Sequence, residues 1–118
     1  MSNYLLGVIE PQGQGIPEPE VLQAIMANVE AVTQEMKSQG VWVAAGGLEE
    51  TGSAKTVRNG DGQGIVSDGP FVEMKEYLGG FSIIDVDDEE TAIEWAKKVS
   101  QATTLPIEVR KFRGMLQK

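Results

Sequence analysis

Two apolar runs carry their hydrophobic residues side by side: Leu5-Leu6 within residues 4–9 and Ile83-Ile84 within residues 81–86. Both runs are short and β-branched or aliphatic, and the first ends at Glu10-Pro11, as a buried strand ends. Successive side chains of a strand point to opposite faces, so each doublet makes both faces apolar. A sheet built on such strands must be covered twice.

The covering elements are few. Leu22, Ile25, Val29, Val32 and Met36 recur at spacings of three and four and line one helical face. Pro19 and the acids Glu18 and Glu20 suit the first turn of that helix, and Gly40 supplies a left-handed residue at its end. A second stripe, Ala92, Trp95, Ala96 and Val99, follows a capping-box-like start at Asp87 and Glu90. Glu94 can pair with Lys98 along this helix, which ends before Pro106. Two helices cover one face of a four-stranded sheet. Leaving the other face in water would cost several kcal/mol at about 25 cal/mol per Å2, so a homodimer packed sheet to sheet is expected.

The remaining runs complete the order. Residues 41–45 form a strand before Gly46-Gly47, and residues 55–58 and 65–67 flank an Asn59-Gly60 turn as a hairpin. Residues 107–112 alternate apolar and charged side chains and suit a last strand near a sheet edge. The sequence β-α-β, hairpin, β-α-β predicts a ferredoxin-like α+β domain with a four-stranded antiparallel sheet. At 118 residues and 41% hydrophobic content, the chain suits a single domain over 1–118.

Composition removes whole classes of chemistry. A formal charge of −8 repels phosphate backbones and anionic lipid, so neither nucleic acid nor a membrane surface is an expected partner. An RNA-binding sheet is further opposed by the lack of a run of strand aromatics. Cysteine and histidine are both absent, which excludes disulfides, thiolate nucleophiles, imidazole bases and the common zinc centres. The start Met1-Ser2-Asn3-Tyr4 has no basic n-region, so a cytoplasmic protein without a signal peptide is expected.

Most motif-like features have ordinary explanations. Gly60, Gly62 and Gly64 imitate a phosphate loop, but no Gly-Lys-Ser/Thr follows, and a hairpin turn accounts for them. Asp85, Asp87, Asp88, Glu89 and Glu90 resemble a hard-metal cluster, but four of the five fall where a helix start favours acids. No metal site or cofactor is expected. The stretch from Ser67 is more informative. There Asp68 can close an Asx turn, Pro70 holds Gly69 extended, and Phe71 can anchor the loop in the core. Glu73, Lys75 and Glu76 then crowd between this turn and a Gly79-Gly80 hinge, whether the segment is helical or extended. A carboxylate beside a lysine can bind a polar metabolite, or act as a general base where partial burial raises its pKa. A solvated surface segment is the plainer alternative.

The run Asp68-Gly69-Pro70-Phe71, Glu73, Lys75-Glu76, Leu78-Gly79-Gly80-Phe81 and Ile84-Asp85-Val86-Asp87 resembles the signature of the DGPF proteins, a branch of the YCII-related family. The resemblance extends to Gly46-Gly47-Leu48 and Thr56-Val57-Arg58 and covers nearly the whole chain. It implies a bacterial dimeric α+β barrel of ferredoxin-like subunits. Related barrels include lyases, isomerases, dehalogenating enzymes and monooxygenases, some YCII-related members using a His-Asp pair. With no histidine here, only Asp68 can correspond to the acidic partner. Other DGPF proteins accompany extracytoplasmic-function sigma factors, which implies an accessory role instead.

Two expectations follow. In the first, a small polar metabolite binds between sheet and loops. Lys75 and Arg58 orient it, Tyr4, Glu73 and Glu76 contribute contacts, and Asp68 bonds it or removes a proton. If the protein is an enzyme, a cofactor-independent lyase or isomerase is the class. In the second, the dimer is a non-catalytic regulatory module that contacts another protein, and Asp68 belongs only to a turn.

Overall fold

The computed structural model describes residues 1–117. Its elements run β1 (Ser2–Pro11), α1 (Pro19–Ser38), β2 (Trp42–Gly47), β3 (Lys55–Arg58), β4 (Ile65–Asp68), β5 (Glu76–Val86), α2 (Glu89–Thr103) and β6 (Ile107–Lys111). Four strands form one antiparallel sheet in the order β2-β5-β1-β6, and β3 and β4 form a separate two-stranded sheet. Each helix thus connects two parallel strands separated by an intervening antiparallel one. β6 lies at an edge, where its charged alternate positions meet solvent.

The period of two sorts the central strands. Tyr4 lies opposite Ile84, and Leu6 lies opposite Ser82 and Val109. Tyr4, Leu6, Ile84 and Val86 join Met36, Ala92, Trp95, Ala96 and Val99 in one buried cluster. Leu6, Met36 and Ile84 are fully enclosed, and each such burial contributes about 1.5–3 kcal/mol relative to exposure. Both helices therefore lie over the even-numbered face of β1 and β5. The odd-numbered face carries Leu5 directly opposite Ile83, with Gly7 and Phe81 beside them. Leu5, Phe81 and Ile83 are only half-buried.

The helix ends show why α1 and α2 stop where they do. Gly40 takes φ +73 beyond α1, whereas α2 ends on Thr104 at φ +65, a left-handed conformation that a β-branched residue adopts at a cost. The N-cap of α2 is Asp88, one residue later than the sequence pattern suggests. Its carboxylate accepts the Thr91 N–H at 2.8 Å. Lys98 pairs across the helix layer with Glu35 rather than with Glu94, which takes Lys97 instead. The interhelical pairing ties α1 to α2 and uses the lysine that lies over the Trp95 ring at 4.8 Å.

Three other expectations change. Gly79 and Gly80 are strand residues of β5, not a hinge. A bulge between Val8 and Ile9 sets Val8 against Gly80 and Ile9 against Leu78, which leaves Gly79 as the extra residue. Phe71 does not anchor the core and is 69% exposed. The tail, unassigned by pattern, turns back so that Leu116 N–H donates to Asn3 Oδ1 at 3.0 Å, making Asn3 a buried polar residue with a partner.

The chain is flat, 47 × 40 × 20 Å, because the β3–β4 hairpin stands away from the two-layer body as an arm. The radius of gyration is 16.1 Å, against about 13.5 Å for a compact chain of this length. The accessible surface is 8395 Å2, against about 6,200 Å2 for a compact monomer of this mass.

The hydrogen bond from Thr91 holds the Asp88 carboxyl below its ordinary value of 3.8. A lowered folded pKa contributes stability above 3.8 that is lost as pH falls through the folded value. Asp88→Ala is therefore expected to lower Tm at pH 7, and the gap from the parent protein to close as pH falls below 3.8. Thermal melts across pH 2–7 (roughly two units either side of the carboxylate range) check this, and Asp88→Asn should keep most of the cap.

Candidate functional site

The arm and its connections hold most of the charged residues that the sequence singles out. β3 and β4 pair Lys55 with Asp68, Thr56 with Ser67, Val57 with Val66 and Arg58 with Ile65. Asp68 Oδ1 accepts from Lys55 Nζ at 2.5 Å, across the hairpin, rather than closing an Asx turn on its own backbone. The pair is open to water, with the Asp68 side chain 90% exposed, so it contributes little to stability. Gly69 is not extended: it takes φ +95, where only glycine is free of strain. Its N–H donates to Ala54 O at 2.7 Å, and its carbonyl accepts from the Thr56 hydroxyl at 2.9 Å. These bonds close the arm at its base. Arg58 stacks over the Phe71 ring at 4.8 Å.

Glu73 and Lys75 lie exposed in irregular chain after the arm, and Glu76 opens β5 opposite Pro11. Tyr4 is elsewhere: it is 3% exposed within the helix-facing cluster, where its ring packs the core and does not meet the arm. A single chain thus pairs Lys55 with Asp68 on one face of the arm, places Arg58 on the other over Phe71, sets Glu73, Lys75 and Glu76 on the return path, and leaves Tyr4 apart.

The structure adds a polar group that pattern reading missed, where the end of β1, the start of β5 and the single 3-10 turn Thr51–Ser53 meet. Gln12 N–H donates to Lys75 O at 2.7 Å, and Gln12 Nε2 donates to Thr51 Oγ1 at 3.0 Å. Leu48 N–H donates to Gly79 O at 2.9 Å. Glu10 lies opposite Tyr77, and its carboxylate rests on Gly79, where a Cβ would fall 1.6 Å from Glu10 Oε2. Only glycine leaves room for that carboxylate. Partial burial raises the Tyr77 phenol above its ordinary 10.0, and the charges of Glu10 and Glu50 raise it further. The available signal was Gly79 itself, a glycine inside a strand-like run.

On the odd-numbered face, Asp85 lies opposite Asn3 and its Oδ1 is buried without a partner; on the helix-facing side, where Trp42 lies opposite Ile84, Trp42 Nε1 is likewise unpartnered. Both atoms retain hydrogen-bonding capacity that the described residues do not use. Among the described residues no three carboxylates converge as a metal site. The helix layer holds a shallow groove of about 300 Å3 lined by Asn28, Ala31, Val32, Lys98, Gln101 and Ala102, which contains none of the candidate residues. No helix of the described residues is long and apolar enough to cross a membrane.

A two-layer α+β domain with an unsheltered apolar sheet face and a charged arm is the class that this geometry defines. The chain belongs to the YCII-related domain family, whose pattern matches residues 2–113. It is 36% identical over 80 residues to an uncharacterized protein of Rhizobium meliloti (strain 1021), an alignment covering 68% of this chain and 64% of that protein. It is also 31% identical over 101 residues to a nucleoid-associated protein of Sulfurihydrogenibium sp. (strain YO3AOP1), covering 79% of this chain and 86% of the relative.

The raised Tyr77 pKa gives a pH prediction. A phenol whose neutral form is favoured by the fold leaves stability intact below 10.0, and stability falls as pH rises from there through the folded value. Glu10→Gln removes one of the charges responsible, so the Tyr77 titration, followed by phenolate absorbance in a Tyr4→Phe background, is expected to move toward 10.0. An unchanged titration would show that the Glu10 charge does not reach the phenol.

Proposed function

We propose that this chain works as a homodimer packed sheet face to sheet face, a dimeric α+β barrel of ferredoxin-like subunits, that encloses a small polar metabolite. The observation that carries this reading is the odd-numbered sheet face, where Leu5, Ile83 and Phe81 stay half-buried with neither helix above them. The surface excess of about 2,000 Å2 over a compact monomer matches what one subunit contributes to an obligate homodimer, about 1,000–2,500 Å2. Charge distribution supports it too. Glu20, Glu30, Glu35, Glu89, Glu90 and Glu94 lie on the helices, away from the uncovered face, so two acidic copies can approach sheet to sheet. The Asp68-Gly69-Pro70-Phe71 run supports placement in the DGPF branch.

Within such a barrel the unpartnered Asp85 Oδ1 is an acceptor awaiting a donor, which suits an amine, amide or hydroxyl group of a metabolite. Arg58, Asp68, Glu73, Lys75 and Glu76 supply charged groups at the mouth, with Asp68 as the candidate proton acceptor. Tyr4, held in the core, takes no part. Proton transfer, if the protein turns its ligand over, falls to carboxylates, consistent with a cofactor-independent lyase or isomerase. The second reading is a non-catalytic module that contacts a macromolecule. The printed name of the Sulfurihydrogenibium relative favours the nucleoid over a sigma factor as the setting. A charge of −8 opposes direct phosphate contact, so in that setting the partner is a protein.

Leu5→Glu and Ile83→Glu place a charge on the uncovered face while leaving the helix-facing core intact. Each is expected to convert a dimer into a folded monomer of 12.7 kDa by sedimentation equilibrium at micromolar concentration. Thermal-shift screening of polar metabolites should find stabilisers of the parent protein that lose their effect in Asp85→Ala and in both monomeric variants. A parent protein that sediments as 12.7 kDa contradicts the reading.

A further inference from the structure

The β3–β4 arm presents apolar side chains that no part of its own chain uses. Val57 and Val66 are cross-strand neighbours, 64% and 63% exposed, and Phe71 and Met74 in the chain that follows the arm are 69% and 64% exposed. Two strands alone are marginal in water, and this hairpin is closed at its base by Gly69 N–H to Ala54 O, the Thr56 hydroxyl to Gly69 O and the exposed Lys55–Asp68 pair. It needs a surface to rest on. Its own body offers little, since neither strand of the arm makes extensive contact with the four-stranded sheet or with either helix.

We infer that the arm of each copy docks on the second copy of the chain, so that Lys55 and Asp68, on the same face as Val57 and Val66, reach the shared cleft across the subunit boundary. This inference rests on the sheet-to-sheet dimer proposed above. Continuity of surface points to the same occupant. The arm leaves the body between Leu48 and Leu78, which are 50% and 42% exposed, and Leu78 lies against Gly7 on the uncovered sheet face. Apolar surface thus runs from Leu5 and Ile83 to Leu78, beside the root of the arm. A partner that covers the sheet meets the arm as well.

Polar substitutions on the arm separate this inference from the dimer itself. Val57→Asp, Val66→Asp and Met74→Asp alter positions that water already reaches in one copy, so circular dichroism should show an unchanged fold. Each is expected to raise the dimer dissociation constant about tenfold or more, close to 1.4 kcal/mol. Val21→Asp, equally exposed but on α1, should leave it unchanged. Hydrogen exchange provides a second measure without arm variants: amides of β3 and β4 should be protected in the parent dimer and lose protection in Leu5→Glu. A parent dimer whose constant ignores the arm variants, or whose arm amides exchange freely, overturns the arm's placement and leaves the sheet interface standing. A monomeric parent protein overturns both.

Discussion

Leu5 lies against Ile83 on the side of the sheet that neither helix can reach. Everything else about the chain is arranged around that fact. The even-numbered partners of these residues, Leu6 and Ile84, are fully buried and hold α1 and α2 down, and they exhaust the helices in doing so. What remains is a sheet with one dry face and one half-wet face. Six of its eighteen acidic side chains lie on the helices, and an arm stands clear of the body. Such a chain leaves apolar surface on one side of its sheet that association would cover.

Much of this was legible in the sequence. The doublets Leu5-Leu6 and Ile83-Ile84 and the two helical stripes fix the elements, their order and the uncovered face, since each depends only on local periodicity. The α2 stripe is buried residue for residue at Ala92, Trp95, Ala96 and Val99. What the sequence hid depends on tertiary register. The bulge at Val8/Ile9 makes Gly79 a strand residue and brings Glu10 onto it, a consequence of pairing between residues far apart in the chain. Lys98 reaches Glu35 rather than Glu94 because the helix layer brings a distant carboxylate nearer than the local one. Phe71 looks like an anchor by type, yet hydrophobicity alone does not say which molecule an exposed ring will meet.

The candidate site divides in the same way. Asp68, Arg58, Glu73, Lys75 and Glu76 cluster by sequence, and the fold keeps them on the arm and its return path. Tyr4 was drawn in by residue type and belongs to the core. Glu10, Tyr77 and Asp85 were invisible as a group because their environments arise from cross-strand pairing. Without histidine or cysteine, side-chain acid–base chemistry here is left to carboxylates, lysine, tyrosine and hydroxyls.

Methyl cross-saturation between copies addresses the central claim directly. Deuterated, methyl-labelled chain is mixed with protonated chain, and the protonated copies are irradiated. The account predicts loss of intensity at the Leu5 and Ile83 methyls, with Leu6 and Ile84 unaffected on the helix side of the same strands. Equal response at all four positions, or none at Leu5 and Ile83, would contradict it.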